Sequence, residues 1–156
     1  FNTGEDSTLE LRITAGNRKF NLENHDKEGK QNHESWFIER GKLEKVNPEG
    51  FNRLMADLRN LSIELYPDEE GADGFAVATQ LTSREPELVI ELITGKKRKY
   101  TLNIYSEIRL LDAEYRPVQR NINSFRESPA YIKQSSFESI KIHLEEMSLP
   151  NSQEKQ

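Results

Sequence analysis

The sequence predicts an α+β fold made of two pseudo-repeated units, each a β-hairpin, a further strand and a helix. The first observation is an alternating apolar pattern that passes through a Gly-containing basic turn and recurs much later in the chain. The second is an amphipathic helical pattern that follows each hairpin at a distance. Because short hairpin turns join antiparallel neighbours, we expect mostly antiparallel sheets, each packed by one helix.

The first unit is predicted to span residues 8–66, after a polar linker at residues 1–7. Apolar residues alternate from Leu9 to Ile13 and again from Phe20 to Leu22, on either side of a basic turn, which is typical of a hairpin. The polar stretch that follows predicts a solvated loop, and Trp36 then opens a third strand.

The first helix is predicted from a start signal and a stripe. Asn47 is a good N-cap, and Pro48 suits the first helical position because its missing N–H group is not needed there. The stripe recurs at helical spacing and consists of Phe51, Leu54, Met55, Leu58 and Leu61.

An acidic, turn-rich junction is predicted at residues 67–74, and the second unit at residues 75–149. Its hairpin comprises Leu88 to Thr94 and Tyr100 to Ile104, with an extra strand near Ile108. Residues 112–129 are polar and contain two prolines, so they predict a long loop.

The second helix is predicted after a short strand at Tyr131, which we interpret as the counterpart of Trp36. Ser135 and Glu138 have the spacing of a capping box, and residues 150–156 form a polar tail. The apolar stripe of this helix is Phe137, Ile140, Leu144 and Met147. The predicted core comprises Leu11, Ile13, Trp36, Phe51, Leu54, Leu58, Ile90, Leu102, Tyr131, Ile140 and Leu144.

Composition excludes several classes of function. The chain has no cysteine, so it forms no disulfide, thiolate zinc site or cysteine nucleophile. The net charge of -5 argues against a nucleic-acid partner, because nucleic-acid-binding proteins usually carry a basic excess. No apolar run reaches transmembrane length, and the chain begins with Phe1, so we expect membrane attachment only through an anchor that precedes this sequence.

The two basic turns are the best local candidates for contact with a partner or an anion. They supply Arg18, Lys19, Lys96, Lys97, Arg98 and Lys99. The simpler interpretation is that these charges keep hairpin tips hydrated and protect strand edges from pairing. Aromatic residues near the turns are limited to Phe20 and Tyr100, and both fit the buried face.

Catalytic and metal sites find little support in the sequence. His25 and His33 share a polar loop and residues 67–74 are acidic, but neither set has metal-ligand spacing, and His143 is expected at the surface. We therefore expect no cofactor and no enzyme activity. The alternative is a hydrolase or transferase that uses the acidic segment or the histidines of the loop.

The arrangement resembles an uncharacterised bacterial envelope domain, repeated in membrane-anchored proteins that are often encoded beside gliding-motility-type ABC transporters. The resemblance covers most of residues 8–149 and rests on the hairpins, on Trp36 followed by the Asn47–Phe51 segment, and on both helices. It implies a non-catalytic binding or assembly module with a protein partner, located in the periplasm or on the cell surface. The sequence predicts no particular oligomeric state.

Overall fold

The computed structural model describes residues 8–26, 35–61, 80, 83–110, 113–127 and 129–149. Among these residues, ten strands form one antiparallel sheet, and two helices pack side by side on one of its faces. The predicted α+β fold is confirmed. One expectation is wrong. We expected two sheets with one helix each, whereas the structure has a single continuous sheet on which both helices pack.

The first part of the chain contributes four strands and a helix. In order they are β1 (Thr8–Ala15), β2 (Arg18–Asn24), β3 (Trp36–Glu39), β4 (Leu43–Lys45) and α1 (Pro48–Arg59). The side chain of Asn47 accepts a hydrogen bond from the Gly50 N–H group at 3.2 Å, which confirms the predicted N-cap.

The second part contributes six strands and a helix. They are β5 (Leu88–Thr94), β6 (Lys99–Ile104), β7 (Ile108–Leu110), β8 (Ala113–Ile122), β9 (Phe125–Arg126), β10 (Ala130–Lys133) and α2 (Gln134–Ser148). The predicted capping box is wrong, because α2 begins at Gln134 and its N-cap, Lys133, makes no side-chain capping bond.

The strand order is β10-β8-β6-β5-β1-β2-β3-β4, with β7 and β9 paired to β8. The central pair is β1 and β5, which run antiparallel with Ile13 opposite Ile90. Outward from this pair, each half continues with the second strand of its hairpin and then two further strands. A duplicated unit would produce this order, and the duplication itself stays a prediction.

The predicted loop at residues 112–129 is wrong, because most of it forms β8 and β9. Pro117 lies within β8 between two neighbours, and its carbonyl accepts a hydrogen bond from the Tyr105 N–H group at 2.9 Å. By position in the sheet β8, rather than β10, corresponds to β3, so the proposed equivalence of Tyr131 and Trp36 does not hold.

All the predicted core residues are buried. Ten of them belong to one cluster between the sheet and the helices, whereas Tyr131 is buried outside that cluster. Its strand neighbours Ala130 and Ile132 belong to the cluster, so alternation places the Tyr131 side chain on the other face of the sheet.

The helices run antiparallel, and their backbones approach closely at Gly50. A Cβ atom at this position would lie 2.2 Å from the backbone nitrogen of Met147. The missing side chain therefore lets the first turn of α1 rest directly on the last turn of α2. The predicted linker at 1–7, the junction at 67–74 and the tail at 150–156 lie outside the described residues.

Candidate functional site

The sheet face opposite the helices, here called the outer face, carries a polar depression in the first half of the molecule. Strand alternation explains its composition, because the apolar partners of these residues point toward the helices. The depression has a volume of about 480 Å³. We call its outward side chains the open surface: Glu10, Arg12, Thr14, Lys19, Asn21, Glu23, Glu39 and Glu91.

Carboxylates dominate the charge of the open surface. Glu10 and Glu23 are direct cross-strand neighbours, an arrangement that repels unless cations are near. Arg12 donates a hydrogen bond to Glu10 at 2.8 Å, and His25 lies 3.2 Å from Glu23. Arg12 thus neutralises part of the negative charge of the open surface, which stays negative overall.

The six residues of the basic turns do not converge. Ala15 pairs with Leu88 and Thr8 with Thr94, so the turn after β1 and the turn after β5 lie at opposite ends of the sheet. A single anion site that uses both turns is therefore excluded by the topology. Contact with a partner at either turn alone stays a prediction.

Within the first turn, Arg18 and Lys19 have separate surroundings. Arg18 forms an ion pair with Glu145 of α2, and its guanidinium lies 5.0 Å from the centre of the Phe20 ring. Lys19 belongs to the open surface. The Arg18 ion pair thus holds the β1–β2 hairpin against α2.

The second turn is more exposed. Lys99 is paired with Glu91 at 3.2 Å. Its neighbours Lys96, Lys97 and Arg98 are exposed, and in the part of the chain that the structure describes none of the three has a carboxylate partner. These three cations are therefore available to a ligand.

The residues of the enzyme alternative are only partly described. His25 stacks on Phe37 with ring centres 4.5 Å apart, which is a structural contact on the outer face. His33 and the acidic segment 67–74 lie outside the described residues. Within the described ranges, no three His, Asp or Glu side chains are grouped closely enough to hold a metal ion.

Sequence analysis missed a polar cluster between the helices. Asp57 of α1 accepts hydrogen bonds from the Ser139 hydroxyl, at 3.1 Å to each carboxylate oxygen, and contacts His143 Nδ1 at 2.5 Å. His143, expected at the surface, has a partly buried side chain that is 20% exposed and faces the other helix. The signal was present: Ser139 and His143 are four residues apart and share one face of α2.

The contacts of this cluster join the two helices. In a hydrolase of the Ser-His-Asp type the histidine accepts the serine proton, whereas here both Ser139 and His143 bond to the same carboxylate. The hydrogen bonds of the described residues include none between Ser139 and His143. The cluster fixes the two helices to each other.

A buried cation, Arg116, was also missed. Its guanidinium lies 3.7 Å from the centre of the Phe137 ring and bonds to Gln134 Oε1 at 2.6 Å, to the Tyr105 carbonyl at 3.2 Å and to Glu87. A buried charge needs such partners because desolvation is costly. Arg116 therefore joins β8, the start of α2 and the segment before β5.

Among the described residues, Tyr105 is the group whose pKa the fold clearly shifts. Burial raises the pKa of the Tyr105 phenol above its ordinary value, and Arg126 opposes that change by favouring the anion. Tyr105 is 5% exposed, so this hydroxyl is a buried neutral group near neutral pH.

Neither α1 nor α2 combines the length and apolar character that a bilayer-spanning helix needs. No protein-family model, no curated protein and no solved structure matches this chain.

Proposed function

We propose that this chain is a non-catalytic binding or assembly module of a bacterial cell-envelope complex, located in the periplasm or on the cell surface. The observation that carries the proposal is the open surface, a polar area that spans four strands and lies opposite the packed helices. The envelope location rests on the resemblance in hairpins and helices described above.

The open surface suits a protein partner with a basic balance. Glu10, Glu23 and Glu39 contribute three carboxylates against the two cations Arg12 and Lys19, whereas Glu91 is paired with Lys99. Such complementarity increases association rates and selects among partners. The rigid sheet beneath these side chains limits the entropy lost when they become ordered in a complex.

The test is capture of envelope proteins from the source bacterium by the purified chain, followed by affinity measurement with the recovered partner. In the test variant, Glu10, Glu23 and Glu39 are replaced by Gln. In the control, Glu85, Glu107 and Glu138, which are exposed elsewhere, are replaced by Gln. Each variant loses three negative charges.

We expect the test variant to bind about tenfold more weakly, mainly through slower association, and the control to bind like the wild type. Added salt should reduce the difference between them. Equal losses in both variants would contradict a role for the open surface. Recovery of the chain free in the cytosol, with no stable partner, would contradict the envelope module as a whole.

A further inference from the structure

Two hairpin tips meet at the end of the sheet remote from the turn after β1. The Asn123 N–H group donates to the Lys99 carbonyl at 2.7 Å, and the Lys99 N–H group donates to Asn123 Oδ1 at 3.0 Å. These reciprocal bonds join the β5–β6 turn to the β8–β9 turn. The two turns are therefore held side by side, and the residues at or next to them are here called the basic tip: Lys96, Lys97, Arg98, Phe125 and Arg126.

Phe125 is the unusual member of the basic tip. It is 69% exposed, the most exposed of the large hydrophobic side chains that the structure describes. It follows the Asn123–Ser124 turn, in which Asn123 has a φ of 53°. Phe125 pairs with Ile122, which packs against the core, so its ring lies on the helix side of the sheet but beyond the edge of the core.

Among the described residues, the cations near Phe125 have no carboxylate partner. No carboxylate within the described ranges pairs with Lys96, Lys97, Arg98 or Arg126. The nearby acidic residues already have other partners: Glu91 pairs with Lys99, and Glu127 pairs with Arg120 at 2.7 Å. In the described part of this chain, whose net charge is -5, these cations thus form a positively charged end.

We propose that the basic tip is a contact site for an anionic lipid bilayer. Lys and Arg side chains would lie against lipid phosphates while the Phe125 ring enters the boundary between headgroups and acyl chains. This combination of cations with one protruding apolar ring suits a bilayer better than a polynucleotide, whose binding sites usually provide a groove with several stacking rings. The site is separate from the open surface.

The first experiment measures binding to vesicles of phosphatidylcholine with and without phosphatidylglycerol, at low and at physiological salt. In the test variant, Lys96, Lys97 and Arg98 are replaced by Ser. In the matched control, the exposed residues Lys42, Lys45 and Arg84 are replaced by Ser. We expect the test variant to bind anionic vesicles roughly a hundredfold more weakly and the control to bind nearly as well as wild type.

The second experiment places a fluorescent probe in the Phe125→Trp variant. Trp36, the natural tryptophan, is buried and serves as an internal reference. We expect the new tryptophan to shift to shorter wavelength with anionic vesicles and to be quenched by lipids brominated on the acyl chain. The Phe125→Ser variant should bind these vesicles about tenfold more weakly.

Three results would overturn the proposal: no wild-type binding to anionic vesicles, an equal loss in the matched control, or no change in the Phe125→Trp emission. Labelled oligonucleotide is measured in parallel. Tighter binding to the oligonucleotide than to vesicles, unaffected by Phe125→Ser, would show that the basic tip is a polyanion site instead. Replacing Glu10, Glu23 and Glu39 by Gln should leave vesicle binding intact, so this result is independent of the proposed protein partner.

Discussion

The two halves of the sheet use their outer face differently, although both place helices on the other side. In the first half Arg12 and Glu23 of the outer face are exposed. In the second half Pro117, Gln119 and Tyr131 of the same face are buried, and Gln119 donates to the Glu127 carbonyl at 3.0 Å. Similar strand order thus supports a hydrated surface in one half and a second buried layer in the other.

The difference separates two requirements on the sequence. Residues that face the helices must be apolar in both halves, because they share one core. Outer-face residues are constrained only where something covers them. The first half is therefore the part in which side chains can change for binding without loss of folding.

The most direct test of the difference between the two outer faces is to remove one aromatic ring from each. Tyr131 is 0% exposed, whereas Phe37 is half-buried against His25. Tyr131→Ala should lower the free energy of unfolding by about 3–5 kcal/mol. Phe37→Ala should lower it by about 1 kcal/mol. Denaturant titration measures both, and equal losses would show that the halves do not differ.

A second change tests the helix side, where the two halves meet. Ala is about 1 kcal/mol better than Gly for helix propensity, but the Cβ atom of Gly50→Ala would clash with the backbone of Met147. We expect a net loss of about 2–4 kcal/mol, because backbone cannot move aside as a side chain can. Asn52→Ala, at an exposed site of α1, is the control and should be neutral or slightly stabilising. Stabilisation by Gly50→Ala would mean that the helices lie farther apart.

The two halves also differ in the backbone conformation of their hairpin turns. Gly16 has a φ of 62°, whereas in the second turn Lys97, rather than a glycine, has a φ of 62°. A side chain in this region costs about 1–2 kcal/mol, and glycine avoids the cost. Gly16→Ala should destabilise the protein by about 1 kcal/mol and Lys97→Gly should stabilise it by up to about 1 kcal/mol.

Thermal unfolding checks the turn prediction. Lys96→Gly is the control, because its φ is already negative and glycine there only adds freedom to the unfolded chain. If Lys97→Gly behaves like Lys96→Gly, the left-handed conformation at residue 97 is not a source of strain.

The smallest expected effect is a dependence of stability on alkaline pH. Because burial raises the pKa of Tyr105 in the folded protein, the unfolded chain loses this proton first as pH rises. The neutral phenol's contribution to the free energy of unfolding is complete below the ordinary tyrosine pKa of 10.0. It is lost as the pH rises toward the pKa of Tyr105 in the folded protein. Tyr105→Phe should flatten the decline in the free energy of unfolding above pH ~10, as measured by denaturant titration in that range. An unchanged slope would contradict a buried phenol.

Periodicity predicted the elements that pair with near neighbours in the chain. Both hairpins, both helical stripes and the Asn47 cap follow from local spacing. The strand β8 was missed because Arg116 and Gln119 are polar and Pro117 ordinarily disfavours strands. Their hydrogen-bond partners, Gln134 for Arg116 and Glu127 for Gln119, lie in other elements that only the fold brings alongside β8.

The candidate sites depended even more on three-dimensional placement. The spacing of Ser139 and His143 was visible, but their partner Asp57 comes from another helix. The basic turns were recognised from composition, whereas their separation follows from the antiparallel pairing of β1 and β5. The sequence alone did not indicate that Phe125 is exposed, because its exposure results from the β8–β9 turn.

The central position of β1 and β5 has a consequence for how the chain acquires its structure. Each hairpin can close locally within about 1–10 μs, but the middle of the sheet requires a loop that includes all of α1. Contacts this distant slow folding. During synthesis the first half must therefore wait, with one edge of β1 unpaired, until β5 emerges from the ribosome. That interval is when the nascent chain is most open to aggregation or to help from a chaperone.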